Sequence, residues 1–435
     1  MAWNVEEISE NVTHLVIQLA IILAAAKFSG ELCERFLKTP SVLGEVAAGI
    51  IIGPFALGGI DLPIVGSIFA HAPEITKGSE TFTIPVSETL WALGQMGSII
   101  LLFVAGLETD LGMFFRYAKP AVVVALGGVI LPFALGVVVT VLFGYANDFG
   151  DLKALFVGAV LTATSIGITV RVLAELNSLG TPEGITILGA AVLDDVIGIL
   201  VLTVVVALGA SGEISHYSIA LIVFKTLGFW IVLMVIGVLF SKQIARLLGG
   251  LRVTGGAIGV ALAFAFLAAG LSEIFGLAMI IGAFSIGLAL SGTNLAHRLE
   301  EPLNGLYAGL VPIFFVVMGM LVNLGSLSGI WVFGLVVSFM AVLGKIAGSG
   351  LPSLLTGFNK QSAWRIGVGM MPRGEVALIM AGIGISKGII GEDIYGVVII
   401  MSIITTALAP PILALSFRGQ THNTIKTSSN EDNLC

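Results

Sequence analysis

The sequence predicts an all-α integral membrane protein of about 13 transmembrane helices. Three observations carry this. Hydrophobic residues make up 57% of the 435 positions and charged residues only 11%, where a soluble domain carries about 25% charged residues. The mean hydropathy is +1.07. The apolar residues collect in runs close to the roughly 20 residues that a helix needs to cross a bilayer, without the period-two alternation of an outer-membrane barrel strand.

The runs lie near residues 12–30, 41–60, 88–107, 120–144, 153–174, 185–209, 217–240, 254–272, 275–292, 303–323, 329–350, 364–386 and 393–416. The first follows an acidic start, MAWNVEEISENVTH, that lacks the basic head of a secretory signal, so it reads as a retained span. The second holds Glu45 in a GEVAAG context, close enough to a helix end for solvation. The third closes on Glu108 and Asp110, candidates for a cytoplasmic funnel. The seventh carries Lys225 near its start, within snorkelling reach of the interface. The last run precedes a short polar tail, 417–435, expected to be cytoplasmic.

Basic residues orient the chain. One set of alternate loops holds only Lys77, Lys153 and Lys387; the other holds most of the rest, among them Arg116, Arg171, Lys242, Arg298, Arg365, Arg418 and Lys426. The positive-inside rule then puts the C-terminus in the cytoplasm, and an odd number of spans puts the N-terminus outside. Lys225, Lys345 and Arg373 fall inside apolar runs. Cys33 and Cys435 are far apart and outside any ligand spacing, which supports neither a disulfide framework nor a zinc site.

The chain also repeats. LLFVAGLETDL (101–111) aligns with FFVVMGMLVNL (314–324) on Gly106 and Gly319. The two runs are seven apart, so they cross the membrane in opposite directions. The same interval relates the runs at 153–174 and 364–386. Inverted repeats of this kind mark secondary transporters, with the substrate bound where the repeats meet.

Those last two runs carry broken-helix chemistry. Thr162, Thr164, Ser165, Gly167 and Thr169 cluster in the first; Gly369, Pro372 and Gly374 flank Arg373 and Glu375 in the second. Hydroxyls, glycine and proline free or occupy backbone groups, and unwound backbone at membrane depth is tolerated where it lines a cavity. Arg373 is expected to neutralise carbonyl ends of the half-helices and Glu375 their amide ends. A proline kink with Ser/Thr packing between helices is the alternative.

Asp194 and Asp195 lie side by side in a stretch from Ile185 to Leu208 that holds no other charge. One Asp at the middle of a membrane helix costs roughly 2.5–3.5 kcal/mol even on the cheapest scale. Adjacent helical residues point about 100° apart, so the two do not share one proton as a protease dyad does. Lys345, between Gly344 and Gly348, is the plausible lysine partner for one of them, and a structural ion pair is the alternative reading of that contact. One lysine does not account for the second carboxylate. Desolvation disfavours its bare charge, so it holds either a proton or a small hard cation. Competition between those two is the core of cation/proton exchange.

In SVLGEVAAGIIIGP (41–54), LLFVAGLETDL (101–111), TATSIGITVRVLAEL (162–176), LGAAVLDDVIGILVL (188–202) and MPRGEVALIMA (371–381) the chain resembles monovalent cation:proton antiporters of the second cation:proton antiporter family, in the sodium/proton exchanger branch with paired aspartates. The resemblance runs from about residue 12 to 416. It implies the sodium/proton antiporter fold and a homodimer in the bilayer. A dimer domain would lie near 12–60 and 217–292, and a moving core domain near 88–209 and 303–416 apart from segments that belong to the dimer domain. It implies that the runs at 153–174 and 364–386 cross beside the ion site. It further implies that Asp195 is the main ion-binding carboxylate, that Asp194 pairs with Lys345, and that Thr164 and Ser165 lie near the ion. The transported ions would be a monovalent cation, sodium ahead of lithium or potassium, and protons. No cofactor and no nucleic acid is implied. Potassium-efflux members carry a long nucleotide-sensing domain, which the short tail does not match, although potassium itself stays open. The membrane would be that of a bacterial cell or another energy-coupling membrane such as a thylakoid.

Other classes fit less well. An intramembrane aspartyl protease draws its two aspartates from different helices. A cation channel or ligand sensor would not need a proton gradient. No GxxxxGK[ST] loop is present for an ATP-driven pump.

Overall fold

The computed structural model describes residues 5–62, 66–69, 75–77, 80–82, 85–211, 216–250, 253, 255–323 and 329–417. The predicted tail beyond Phe417, with Arg418 and Lys426, lies outside them. In chain order the elements begin with α1 (Val5–Leu32), which ends in a π-helical turn Cys33–Leu37, and α2 (Ser41–Ile52). Two short antiparallel ladders follow, β1 (Asp61–Leu62) with β2 (Gly66–Ser67) and β3 (Ile75–Lys77) with β4 (Glu80–Phe82). Then come α3 (Glu88–Glu108), α4 (Leu111–Arg116), α5 (Ala118–Leu142), α6 (Leu152–Thr162), α7 (Ile166–Glu175) and α8 (Pro182–Ser211). The rest are α9 (His216–Gly249), α10 (Gly256–Ile274), α11 (Met279–Ser291), α12 (Leu295–Met320), α13 (Trp331–Leu354), α14 (Lys360–Gly369), α15 (Glu375–Ser386) and α16 (Glu392–Phe417).

Among the described residues, 11 spans are long and apolar enough to cross a membrane, with α6 and α7 taken together as one. The two remaining predicted runs correspond to α11 and to α14 with α15. The boundaries move for readable reasons. The helix α2 stops at Ile52 because Gly53 and Pro54 follow, Gly53 turning extended (ψ 173°). The helix α9 runs on past 240 because SKQIARLLG remains helix-forming although its charges end the apolar run. The same holds at the start of α12, where LAHRLEEP is helical but polar.

Side-chain caps start several helices where the sequence offers them. Ser87 accepts from the Leu90 amide, Asp110 from Met113, Asp151 from Lys153 and Asn359 from Ser362. Lys225 donates to the Ile274 carbonyl at 3.2 Å and sits 5.5 Å from the Phe275 ring centroid, covering the end of α10.

The helices pack as two groups. In one, α5 runs against α13, α6 and α8, and α13 against α14 and α16; in the other, α12 runs against α2 and α3, and α3 and α10 against α11. Small residues set the closest approaches, as membrane packing favours. At the α3–α11 crossing Gly106 faces Gly287, and a Cβ on Gly106 would lie 2.8 Å from the Leu288 nitrogen and 3.0 Å from the Gly287 Cα. These are backbone atoms, so the helices would have to separate.

Gly106→Ala is therefore expected to lower thermal stability in detergent by the ~1–3 kcal/mol typical of overpacking. Gly270→Ala on α10, where a Cβ meets nothing within 4 Å, is expected to leave the melting temperature unchanged or slightly raised. Equal melting curves for the two variants would refute the close-contact account.

Candidate functional site

Two helices break at the same depth and interlock. After Thr162 the chain passes through Ala163 (φ −57°, ψ 140°) and Ser165 (φ −86°, ψ 104°) in extended form before α7 begins. After Gly369 it runs through Met370–Gly374 before α15 begins. The two broken helices are bonded to each other at and beside the breaks. The Ser165 amide donates to the Pro372 carbonyl at 2.9 Å, the Thr169 hydroxyl to the Gly369 carbonyl at 2.7 Å, and the Thr164 hydroxyl to the Met370 carbonyl at 3.4 Å. Gly374 is required for this approach: a Cβ there would sit 2.7 Å from Ser165 Oγ.

Arg373 lies wholly buried between the breaks. Its guanidinium donates to the Ala163 carbonyl, to the Leu161 carbonyl at 2.6 Å and to Thr164 Oγ1 at 3.4 Å. It thus caps the carbonyl end of α6, where the helix dipole is negative. The main chain of Arg373 is held from α16, its amide by Thr405 Oγ1 at 3.2 Å and its carbonyl by the Thr406 hydroxyl at 2.5 Å. Glu375 opens α15, but its side chain lies outside the described residues.

Asp194 and Asp195 sit mid-way along α8, 0% and 5% exposed. Lys345 on α13 is also 0% exposed, and its Nζ donates to Asp194 Oδ1 at 2.7 Å. It reaches across α5 beside Gly128, where a Cβ would stand 3.5 Å from the Nζ, while Gly344 rests on Pro132. Lys345 lies within electrostatic range of Asp195, and Arg373 within range of Asp194. The first break meets the same face of α8. Thr162 Oγ1 would be 3.6 Å from a Cβ on Gly198, one turn beyond Asp194, although its hydroxyl donates back to the Ala159 carbonyl of its own helix at 2.7 Å. Two carboxylates, one ammonium and one guanidinium thus share a buried, low-dielectric region, and the guanidinium links it to the first break, where Thr164 and Ser165 are both buried. Such a set of oxygens suits a hard monovalent cation, and the carboxylates suit protons.

A second charged cluster was not anticipated. Arg171 and Arg365 read as loop residues in the sequence, and Glu45 as a solvated one. Arg171 instead lies within α7, and its Nε is 2.8 Å from Glu175 Oε1. Its Nη2 lies 3.5 Å from Glu45 Oε1 and 3.1 Å from Ser41 Oγ, and its guanidinium 5.1 Å from the Tyr307 ring centroid. Glu45 is 1% exposed. The cluster joins α7 to α2 and α12. It walls a cavity of about 270 Å³ lined by Glu34, Glu108, Arg171, Glu175, Asn304 and Tyr307 among others, which is where the funnel reading of Glu108 falls. Arg365 is buried in α14, 3.2 Å from Glu183 on α8, and donates to the Ser416 carbonyl at 2.9 Å. The Arg171–Glu175 spacing is readable as a helical pair; the Glu45 and Glu183 contacts join residues far apart in sequence, which no local pattern announces. Beside the crossing, α2, α7, α12, α15 and α16 enclose a mainly apolar cavity of about 100 Å³ with Arg373 and Gly374 in its wall.

Comparison with known proteins places this arrangement. Residues 20–418 match the family model described as sodium/hydrogen exchanger, transmembrane. The chain is 37% identical to the Na(+)/H(+)-K(+) antiporter GerN of Bacillus cereus over 402 residues, 92% of this chain and 95% of that protein. It is 36% identical to the high-affinity Na(+)/H(+) antiporter NhaS3 of Synechocystis sp. over 420 residues, 93% and 90% of the two chains. Its fold superposes on the sodium proton antiporter MjNhaP1 of Methanocaldococcus jannaschii with a TM-score of 0.69, at 19% identity, covering 92% of this chain and 95% of that one. Broken helices crossing over a buried aspartate pair, on a chain that matches the family along nearly its whole length, establish that the protein belongs to the transmembrane sodium/hydrogen exchanger family.

Proposed function

We propose that the chain is a secondary antiporter that exchanges a monovalent cation, sodium in the first place, for protons by alternating access. The observation that carries this is the Asp194–Asp195 pair buried on α8 with Lys345 at 2.7 Å from the first carboxylate. Its relatives are named as sodium/proton antiporters, one of them with potassium as well. Asp195 carries either a proton or the cation, and Thr164 and Ser165 supply neutral oxygens near it. Asp194 answers Lys345 when the cation is absent.

The helix group α5–α8 with α13–α16 is the moving body, and the group of α1–α3 with α10–α12 is the scaffold. The Arg171 cluster ties the two on the cytoplasmic side, so a change of access has to break or slide those contacts. The acidic cavity beside it, with Glu34, Glu108 and Glu175, concentrates cations at the mouth. The C-terminus is cytoplasmic and the N-terminus outside, the assembly is a homodimer, and the membrane is the plasma membrane of a bacterium.

Two protons exchange for one cation in this scheme. Arrival of the cation draws Asp194 toward it and away from Lys345, which then releases its proton alongside the one from Asp195. One net charge moves per cycle, worth about 2.3 kcal/mol per 100 mV.

The deciding measurement is dequenching of a ΔpH-sensitive dye in proteoliposomes as each alkali cation is added in turn. Sodium-dependent dequenching is expected, and a response to no cation would overturn the proposal. A response to potassium alone would assign the same machine to that ion. Asp195→Asn is expected to keep the wild-type melting temperature and elution volume while losing exchange; near-normal transport by it would sink the role of Asp195.

A potassium/valinomycin potential at equal pH is expected to drive sodium flux, and Lys345→Gln to blunt that response. Flux indifferent to voltage in the native protein would refute the two-for-one stoichiometry. Removing one partner of a buried ion pair costs about 3–5 kcal/mol, so Lys345→Gln is expected to melt lower than wild type. Adding Asp194→Asn should recover part of that loss, and no recovery would argue against the pair as the source.

A further inference from the structure

A cavity of about 460 Å³ opens between the last turns of α9 and the first turn of α12, away from the crossing. Lys242 and Arg246 of α9 and Arg298 of α12 line it, with Thr293, Asn294 and small or apolar residues, and among the described residues no carboxylate is in its wall. Glu301, one turn further along α12, is not part of the lining. Among the described residues none of the three cations is engaged in an ion pair or hydrogen bond. Three cations around one concavity, with no carboxylate opposite them among the described residues, is an arrangement suited to an anion.

The helix face below the cavity is equally particular. Lys242 and Arg246 are four residues apart and share a face of α9. That face continues through Leu239 and Val235, which are 66% and 49% exposed. From Val235 to Arg246 the helix rises about 16 Å, close to half of a ~30 Å hydrocarbon core. One stripe is therefore apolar over the depth of a leaflet and cationic at its rim. A free anion would use only the rim; an amphiphile would use both. A second copy of the chain is disfavoured there, because a symmetric contact would bring the same cations together.

We propose that this cavity binds the phosphodiester headgroup of an anionic phospholipid, with an acyl chain along Val235 and Leu239. Basic pockets between membrane helices at the cytoplasmic surface are suited to such headgroups, each cation contributing on the order of a fivefold gain in affinity. The inference does not depend on which ion the protein transports.

The test uses the full-length protein in detergent, with thermal unfolding followed during titration with phosphatidylglycerol, phosphatidylcholine or inorganic phosphate. Phosphatidylglycerol is expected to raise the melting temperature of the wild type, and the other two to leave it unchanged. In K242Q/R246Q/R298Q the apparent affinity for phosphatidylglycerol is expected to fall about 100-fold. R116Q/K119Q/K360Q, which removes three exposed charges elsewhere, should keep the wild-type response. If the triple variant cannot be purified, R298Q alone is expected to lose about fivefold. Retention of the lipid response in the cavity variants would overturn the proposal. So would equal loss in the control variant, which would mean general surface charge, and so would a full response to inorganic phosphate, which would mean an anion site without lipid. A changed oligomeric mass of the cavity variant by native mass spectrometry, with the lipid response intact, would make the face a subunit contact and overturn it as well.

Discussion

Two helices can stop halfway across the membrane because a guanidinium meets one carbonyl end. A helix terminus leaves four backbone carbonyls without intrahelical partners, and hydrocarbon offers them nothing. Arg373 supplies donors to Ala163 and Leu161 from the opposite break. Its own main chain is fixed by Thr405 and Thr406 on α16. Three separate stretches of sequence therefore depend on one residue. Carbonyls of the second break are met from the first helix, Pro372 by the Ser165 amide and Gly369 by the Thr169 hydroxyl. The positive charge of Arg373, expensive when dehydrated, is spread over carbonyl dipoles rather than spent on a carboxylate contact.

The second buried cation has a different relation to its surroundings. Lys345 meets a carboxylate directly, at 2.7 Å and with both groups fully enclosed. Buried ion pairs of this kind are poor stabilisers, since desolvation of both groups offsets most of their attraction. Well-packed apolar residues would serve a static helix bundle better. A pair that is nearly balanced is, however, one that a third charge can rearrange.

Much of this was legible in the sequence, and for physical reasons. A hydrocarbon core demands long apolar runs, so the crossings announce themselves; it penalises charge, so Asp194, Asp195, Lys345 and Arg373 stand out; and it forbids idle helix breakers, so TATS and MPRGE mark the crossing. What was not legible depended on distant partners. Arg171 and Arg365 fell near the ends of apolar runs and read as loop charges, because a window of hydropathy cannot tell a charge in a loop from one in the last turns of a helix. Glu45 read as solvated because its partner lies 126 positions away. The attachment of α3 to α11 and α12, rather than to its sequence neighbour α5, rests on close contacts at glycines, Gly106 with Gly287 on α11 and Gly94 and Gly97 with Leu310, Phe314 and Val317 on α12, that only the folded chain brings together. The strands β1 to β4 are two or three residues long, below what alternation can mark.

The seat of Gly374 against Ser165 bears on how such a protein changes over generations. A methyl group at 374 would press on the Ser165 hydroxyl, and bulk added at 165 would press back on 374. Each position narrows the choices open to the other, and both lie inside a web of main-chain bonds that tolerates little displacement. Drift at the crossing has to proceed by coordinated steps, which are rare.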